Sequence, residues 1–254
     1  MKALADNVVA YDLNSGSSSP AGLTPPVCSV ELSWELPCPH DLAPAHPAAI
    51  GSRALARRLI ELAIVCAALL FMLPVLGTIF ALLKLQDGGP ALFGHWRIGR
   101  GGRRFRCWKF RTMVVDADQR LRAHLENDPI ARLEWEADQK LRTDPRVTPL
   151  GRFLRKSSLD ELPQLLNVLN GEMSLIGPRP IVVDEIQKYG RRYREYVCVR
   201  PGITGLWQVS GRNGTTYRRR VAIDTFYVRH WNLRLDAAIL LRTIKVVLTS
   251  DGAF

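Results

Sequence analysis

The stretch LIELAIVCAALLFMLPVLGTIFALL, Leu59 to Leu83, decides how this 254-residue chain is built. From Leu62 to Leu83 it carries no charged side chain. As a helix those residues reach roughly 33 Å at ~1.5 Å per residue, about the hydrocarbon thickness of a bilayer. A helix so uniformly apolar has no polar face to offer water, so the segment predicts a membrane helix. Both flanks are basic: Arg53, Arg57 and Arg58 precede it, and Lys84, Arg97, Arg100, Arg103 and Arg104 follow. Basic residues favour the cytosolic side, so two basic flanks set no direction of crossing. Pro74, near the middle, removes a helical hydrogen bond and predicts a bend. A helix that enters, bends at Pro74 and returns satisfies both flanks, which makes residues 51–86 a re-entrant membrane helix hairpin. A straight span is the alternative.

The sequence on either side differs in charge. Residues 1–50 hold one basic residue, Lys2, five acids and seven of the 16 prolines, a composition that predicts a flexible, disordered leader. The other 204 residues carry 34 basic against 19 acidic side chains. So basic a surface suits anionic partners: phosphate esters, acidic lipid headgroups or nucleic acid. The apolar block begins too deep in the chain for a secretory signal. The five cysteines show no C-x-x-C pair, which fits reduced thiols and argues against a structural zinc site.

Residues 87–254 are expected to form a small catalytic domain of α+β class, mostly α. IGRGGRRF reads as a tight turn between short strands and FRCWKFRTM as an edge strand, while residues 114–142 have an amphipathic helical pattern. The C-terminal segment TYRRRVAIDTFYVRHWNLRLDAAILLRTIKVVL reads as two helices. Their stripe of Phe226, Tyr227, Trp231, Leu240 and Leu241 suits helices lying in a membrane interface, or helices packed on the core.

Chemistry concentrates around KSSLDELPQLLNVLNG, Lys156 to Gly171. With Asp160 as N-cap, Pro163 falls in the first turn, Leu165, Leu166 and Leu169 share a face, and Gly171 ends the helix. Four basic motifs, KFRTM, GRFLRK, GPRP and SGR, surround this acidic pair. Arginines on stiff loops suit bidentate binding of phosphate, and Pro178 and Pro180 stiffen the loop bearing Arg179. Asp160 and Glu161 can hold Mg²⁺ together with substrate phosphates, and a carboxylate can attack phosphorus. A helix start would keep Asp160 ionised. The residues alone therefore point to phosphoryl transfer at a membrane surface. A non-catalytic, membrane-anchored binder of anionic lipid or nucleic acid is the rival, and a phosphatase is a second one. Trp108, Trp207 and Trp231 are too scattered for a nucleic-acid recognition module, so no nucleic-acid partner is expected.

The ordered series GGPALF, KFRTM, DPRVTPLGRFLRKSSLDELPQLLNVLNGEMSLIGPRP, RPGITGLWQVSGR and the terminal GAF resembles the bacterial sugar transferases, monotopic polyprenyl-phosphate sugar-phosphate transferases. The resemblance covers about residues 55–254. It implies transfer of a sugar 1-phosphate, with glucose or galactose favoured, from a UDP-sugar to undecaprenyl phosphate. UMP leaves, Mg²⁺ assists, and a phosphosugar–aspartate intermediate forms, as the first step of an exopolysaccharide or surface polysaccharide. Carried over by position, it makes Asp160 the nucleophile and Glu161 its partner for metal or protons. Arg155 and Arg179 become phosphate ligands, with Lys109 and Arg111 beside the active site. It also implies the bacterial inner membrane with the catalytic domain facing the cytosol, and the short form of the family, without a preceding transmembrane bundle. Two positions depart from the pattern. Leu73 stands where relatives carry Ser before the membrane proline, and His95 stands where many carry Gln; a plain surface or core role is expected for His95. No motif specifies an oligomeric state.

Overall fold

A computed structural model describes residues 47–138, 141–211 and 216–249. Most of the leader, residues 1–46, lies outside the described residues, as do Arg212 of the SGR motif and the terminal GAF. The long apolar segment forms one helix, α1 (Pro47–Asp87), which continues through Pro74 as a single element. One stripe of it faces the rest of the protein. Near its middle Val65, with Ala68 and Leu69 beside it, packs with Phe105, Cys107, Leu165, Val168 and Met173. Towards its end Leu76, Ile79 and Leu83 pack on Ala91, Phe110 and Leu154. The opposite face leaves Leu59, Ile60, Leu70, Phe71, Leu73, Phe80 and Leu85 exposed. Apolar surface of that extent is stable only against lipid or another apolar partner.

Polar contacts fasten the same helix near both ends. The Arg57 guanidinium donates to Ser174 Oγ (3.2 Å), to the Ile176 carbonyl (2.8 Å) and to Tyr227 Oη (3.1 Å). It also lies 3.1 Å from Asp236 Oδ2 and stacks 5.0 Å from the Trp231 ring centre. At the other end Arg111 donates to Asp87 Oδ1 and, at 3.5 Å, to the Leu83 carbonyl.

After α1 comes an antiparallel hairpin, β1 (Leu92–Ile98) with β2 (Arg104–Phe110), in register Leu92↔Phe110 to Ile98↔Arg104. Gly101 (φ 69°) and Gly102 (φ 75°) make its turn in the left-handed region that glycine enters without strain. The amphipathic stretch is two helices, α2 (Ala117–Asn127) and α3 (Pro129–Asp138). They part at Asp128-Pro129: Pro129 cannot continue α2, and Asp128 Oδ1 caps the next turn by accepting from the Ile130 and Ala131 amides (2.9 and 3.0 Å). Helix α4 (Pro149–Lys156) starts from Thr148, whose Oγ1 accepts from the Gly151 amide at 2.9 Å.

The segment expected to be one capped acidic helix folds differently. Leu159–Glu161 is a 3₁₀ turn, and α5 (Gln164–Leu169) begins only after Pro163. Asp160 makes no capping hydrogen bond, because it lies inside the preceding turn. Leu165 is buried, Leu169 is half-buried and Leu166 is exposed, so the three leucines do not share a buried face; Val168 takes Leu166's place in the core. Gly171 (φ 78°) does end the helix.

Two short parallel strands, β3 (Ser174–Ile176) and β4 (Gly202–Thr204), follow with the short helices α6 (Ile186–Tyr189), α7 (Tyr193–Tyr196) and α8 (Leu206–Val209). Helices α9 (Tyr217–Arg229) and α10 (Leu233–Thr249) close the chain. The apolar stripe assigned to them is mostly core: Tyr227 is buried, and Trp231 and Leu240 pack around Ile176 and Ile239. Phe226 and Leu241 are the exposed members. The fold is thus a mostly helical α+β domain carrying one apolar helix on its surface.

Gly151 shows how tightly α4 is seated. A Cβ there would lie 2.0 Å from the Thr112 carbonyl oxygen, a backbone atom that cannot step aside. Gly151→Ala is expected to destabilise by about 1–3 kcal/mol, read as a lowered thermal midpoint, and to impair the residues that α4 carries. An unchanged midpoint would refute this packing.

Candidate active site

Three local structures bring the expected residues together. Helix α4 presents Arg155 in its last turn. Ser158, left-handed at φ 57° and the only such non-glycine among the described residues, reverses the chain into the 3₁₀ turn that carries Asp160 and Glu161. Strand β2 brings Lys109 opposite. Its Nζ lies 2.6 Å from Glu161 Oε1 and 3.9 Å from Asp160 Oδ2, an ammonium straddling two carboxylates. Arg155 Nε donates to Thr112 Oγ1 at 2.9 Å, which fixes the guanidinium plane. Sequence reasoning had not singled out Thr112, although it stands within KFRTM. The Asp144 and Arg146 side chains of DPRVTP pair through two bonds (2.8 and 2.7 Å), and Asp144 contributes to the field at Arg155.

Asp160 is buried, its side chain 12% exposed, whereas Glu161 is 33% exposed. Burial pushes the Asp160 carboxyl above its ordinary range; Lys109 opposes this, Glu161 adds to it and Arg155 opposes it. The expected ionisation by a helix start therefore does not operate. Lys109 and Arg155 are the charges that favour the carboxylate.

The other two expected ligands are placed differently. Arg111 is buried against the end of α1, bonded to Asp87 and the Leu83 carbonyl, and joins the helix to β2 rather than the dyad. Arg179 is half-buried, with its guanidinium 6.0 Å from the Trp207 ring centre, and makes no hydrogen bond or ion pair among the described residues. Trp207 also lies under Arg220 (4.9 Å). Behind them the buried Asp224 accepts from Tyr189 Oη at 2.7 Å.

No group of three or more His, Cys, Asp or Glu side chains able to hold a metal occurs among the described residues. The pair Asp160–Glu161 nonetheless fits Mg²⁺, which takes one or two protein carboxylates and completes its shell with water and phosphate oxygens. The Lys109 ammonium already rests on that pair as a cation.

Asp224 generates a test of the buried network. Burial raises its carboxyl to about 6, against the partial relief that Tyr189 and Arg220 provide. The folded state thus holds this proton more tightly than the unfolded chain does. Its contribution is complete below the unfolded carboxyl range and is lost as pH rises through about 6, up to ~3 kcal/mol at ~1.36 kcal/mol per unit. Asp224→Asn keeps an acceptor for Tyr189 and removes the titration. The wild-type thermal midpoint minus that of Asp224→Asn should fall between pH 4 and pH 7. A difference constant with pH would contradict this.

The family model for bacterial sugar transferases matches residues 52–250. The undecaprenyl-phosphate galactose phosphotransferase of Salmonella typhimurium is 54% identical over 192 residues, covering 75% of this chain and 40% of that protein. The exopolysaccharide production protein ExoY of Rhizobium meliloti is 48% identical over 79% of this chain and 88% of its own length. The UDP-glucose:undecaprenyl-phosphate glucose-1-phosphate transferase of Caulobacter vibrioides is 43% identical over 75% of this chain and 70% of its own. The chain thus spans less than half the length of the Salmonella protein.

Proposed function

The chain belongs to the bacterial sugar transferase family, and from that premise we propose that it transfers a sugar 1-phosphate from a UDP-sugar to undecaprenyl phosphate at a membrane surface. Glucose or galactose is the sugar these relatives' names favour, and exopolysaccharide the product class. The observation that carries the proposal is the buried Asp160, next to Glu161, with Lys109 and Arg155 as its neighbouring cations.

The proposed reaction runs in two displacements. An Asp160 carboxylate oxygen attacks the phosphorus bearing the sugar. The bond from that phosphorus to the bridging oxygen breaks, and UMP leaves with the bond's electrons. An oxygen of the lipid phosphate then attacks the same phosphorus, the acyl-phosphate bond breaks, and Asp160 regains its carboxylate. Lys109 offsets the charge of the pair before substrate arrives, and Arg155, held by Thr112, offers its free Nη fork to phosphoryl oxygens. Mg²⁺ held by Asp160 and Glu161 would neutralise diphosphate charge.

For topology, the proposed arrangement is a helix that enters and returns on the catalytic side. It is supported by the bonding of Arg57 and of Asp87, near opposite ends of α1, to one protein body. Both ends then face the cytosol, where UDP-sugars are made.

Asp160→Asn is expected to abolish UMP release from UDP-sugar plus undecaprenyl phosphate and to leave no phosphosugar adduct, with the protein still folded. Near wild-type turnover would exclude Asp160 as nucleophile. For topology, a single cysteine at position 45, in a background without the native five, should resist a membrane-impermeant thiol reagent on intact cells. Pro74→Leu restores the helical hydrogen bond and should expose that cysteine in part of the population. Labelling without the Pro74 change would mean a spanning helix.

A further inference from the structure

The register of the hairpin puts Phe93, His95 and Arg97 of β1 opposite Lys109, Cys107 and Phe105 of β2, so these six side chains share one face. The β2 half is covered at Phe105 and Cys107, while Phe93 and His95 on the β1 half are exposed. Lys109 ends on the dyad at one end of this face. Arg97 stands at the other, four residues along β1 from the partner of Lys109, about 13 Å at ~3.3 Å per residue. Arg97 Nη1 donates to the Pro180 carbonyl at 3.4 Å, beside Arg179. Burial, then the Arg179 charge, depress its proton affinity. Its nearest carboxylate, Glu185, is 4.0 Å away and is already bonded by Arg220 (3.2 Å) and by the Val182 amide (3.0 Å). Arg179 makes no ion pair among the described residues, and Asp224, the carboxyl whose charge it favours, is buried and already bonded by Tyr189. Two adjacent guanidiniums are thus left with little neutralisation. Lys109, Arg97, Glu161 and Arg179 all act electrostatically on the buried Cys107 thiol.

We propose that Arg97 and Arg179 form a second anion subsite that holds the nucleoside monophosphate portion of the donor, the leaving group of the first displacement. The assignment rests on the transferase reading above. A nucleoside diphosphate sugar with its reacting phosphorus at Asp160 has a second phosphate and a nucleoside still to place, and the open β1 face leads from Lys109 to this pair. The lipid phosphate is a poorer occupant, because its apolar tail would have to continue among Arg179, Trp207 and Arg220.

The test compares wild type, Arg97→Gln and Arg97→Lys in steady-state transfer and in product inhibition by UMP. Arg97→Gln should raise both the KM for UDP-sugar and the UMP inhibition constant at least about tenfold, and leave the KM for undecaprenyl phosphate within about twofold. Arg97→Lys, which keeps the charge without the fork, should fall between. A folded Arg97→Gln protein with unchanged donor KM and UMP inhibition, or one whose lipid KM rises instead, overturns the proposal. Should Arg97→Gln not fold, Arg97→Lys carries the decision. UMP-induced thermal stabilisation is the independent readout. If wild type releases no UMP, the transferase reading fails, while stabilisation by UMP that Arg97→Lys weakens still supports the subsite. Equal stabilisation of both proteins refutes it.

Discussion

The contact on which the other features depend is the stripe of α1 against the protein body, sealed by Arg57. One guanidinium gathers Ser174, the Ile176 carbonyl, Tyr227 and Asp236, and so joins α1 to β3, α9 and α10. Arg57 is half-buried and Asp236 is buried, so removing the guanidinium costs less than the ~3–5 kcal/mol of a fully buried ion pair but leaves Asp236 without that charge. Glu61, accepting from Ser174, and Arg58, donating to the Val168 carbonyl, extend the seam to α5. The apolar helix is therefore a structural wall of the domain as well as a segment long and apolar enough to cross a membrane.

The chemistry depends on close backbone approaches as much as on charges. In GPRP and RPGITG the glycines are where the two loops meet. A Cβ on Gly202 would lie 2.1 Å from the Gly177 amide nitrogen, and one on Gly205 would lie 2.1 Å from the Gly177 carbonyl oxygen. The loop that displays Arg179 is thus pressed directly onto the segment that displays Trp207. This explains both motifs without any glycine touching substrate.

Much of this was legible in the sequence, and the failures have physical causes. The apolar block, the glycine turn of the hairpin and the stop at Gly171 each follow from strong local rules, and they hold. Asp160 was expected at an N-cap because acid and proline spacing fits one. Ser158, adopting a left-handed backbone, instead makes the chain turn two residues earlier, and no propensity signals that. Lys109, Arg155 and the dyad meet as expected, whereas Arg111 turns to α1 because Asp87 and an unpaired helix-end carbonyl attract it more locally. Arg97 escaped notice because its meaning depends on strand register: only the pairing of Phe93 with Lys109 puts it on the face that leads from the dyad.

Helices α1 and α5 pack directly on one another. Val65 of α1 packs directly on Leu165 and Val168, and the chain reaches α5 from Asp160 through only three residues. Packed helices keep their axes about 8–10 Å apart. Asp160 is therefore held at a set height relative to the apolar surface that α1 turns outward. A phosphate at the end of a lipid already lies near that level when its tail is in the bilayer. On the proposed reading the fold acts as a depth gauge: a lipid substrate need not be lifted from the membrane, and a water-soluble donor has to come down to it.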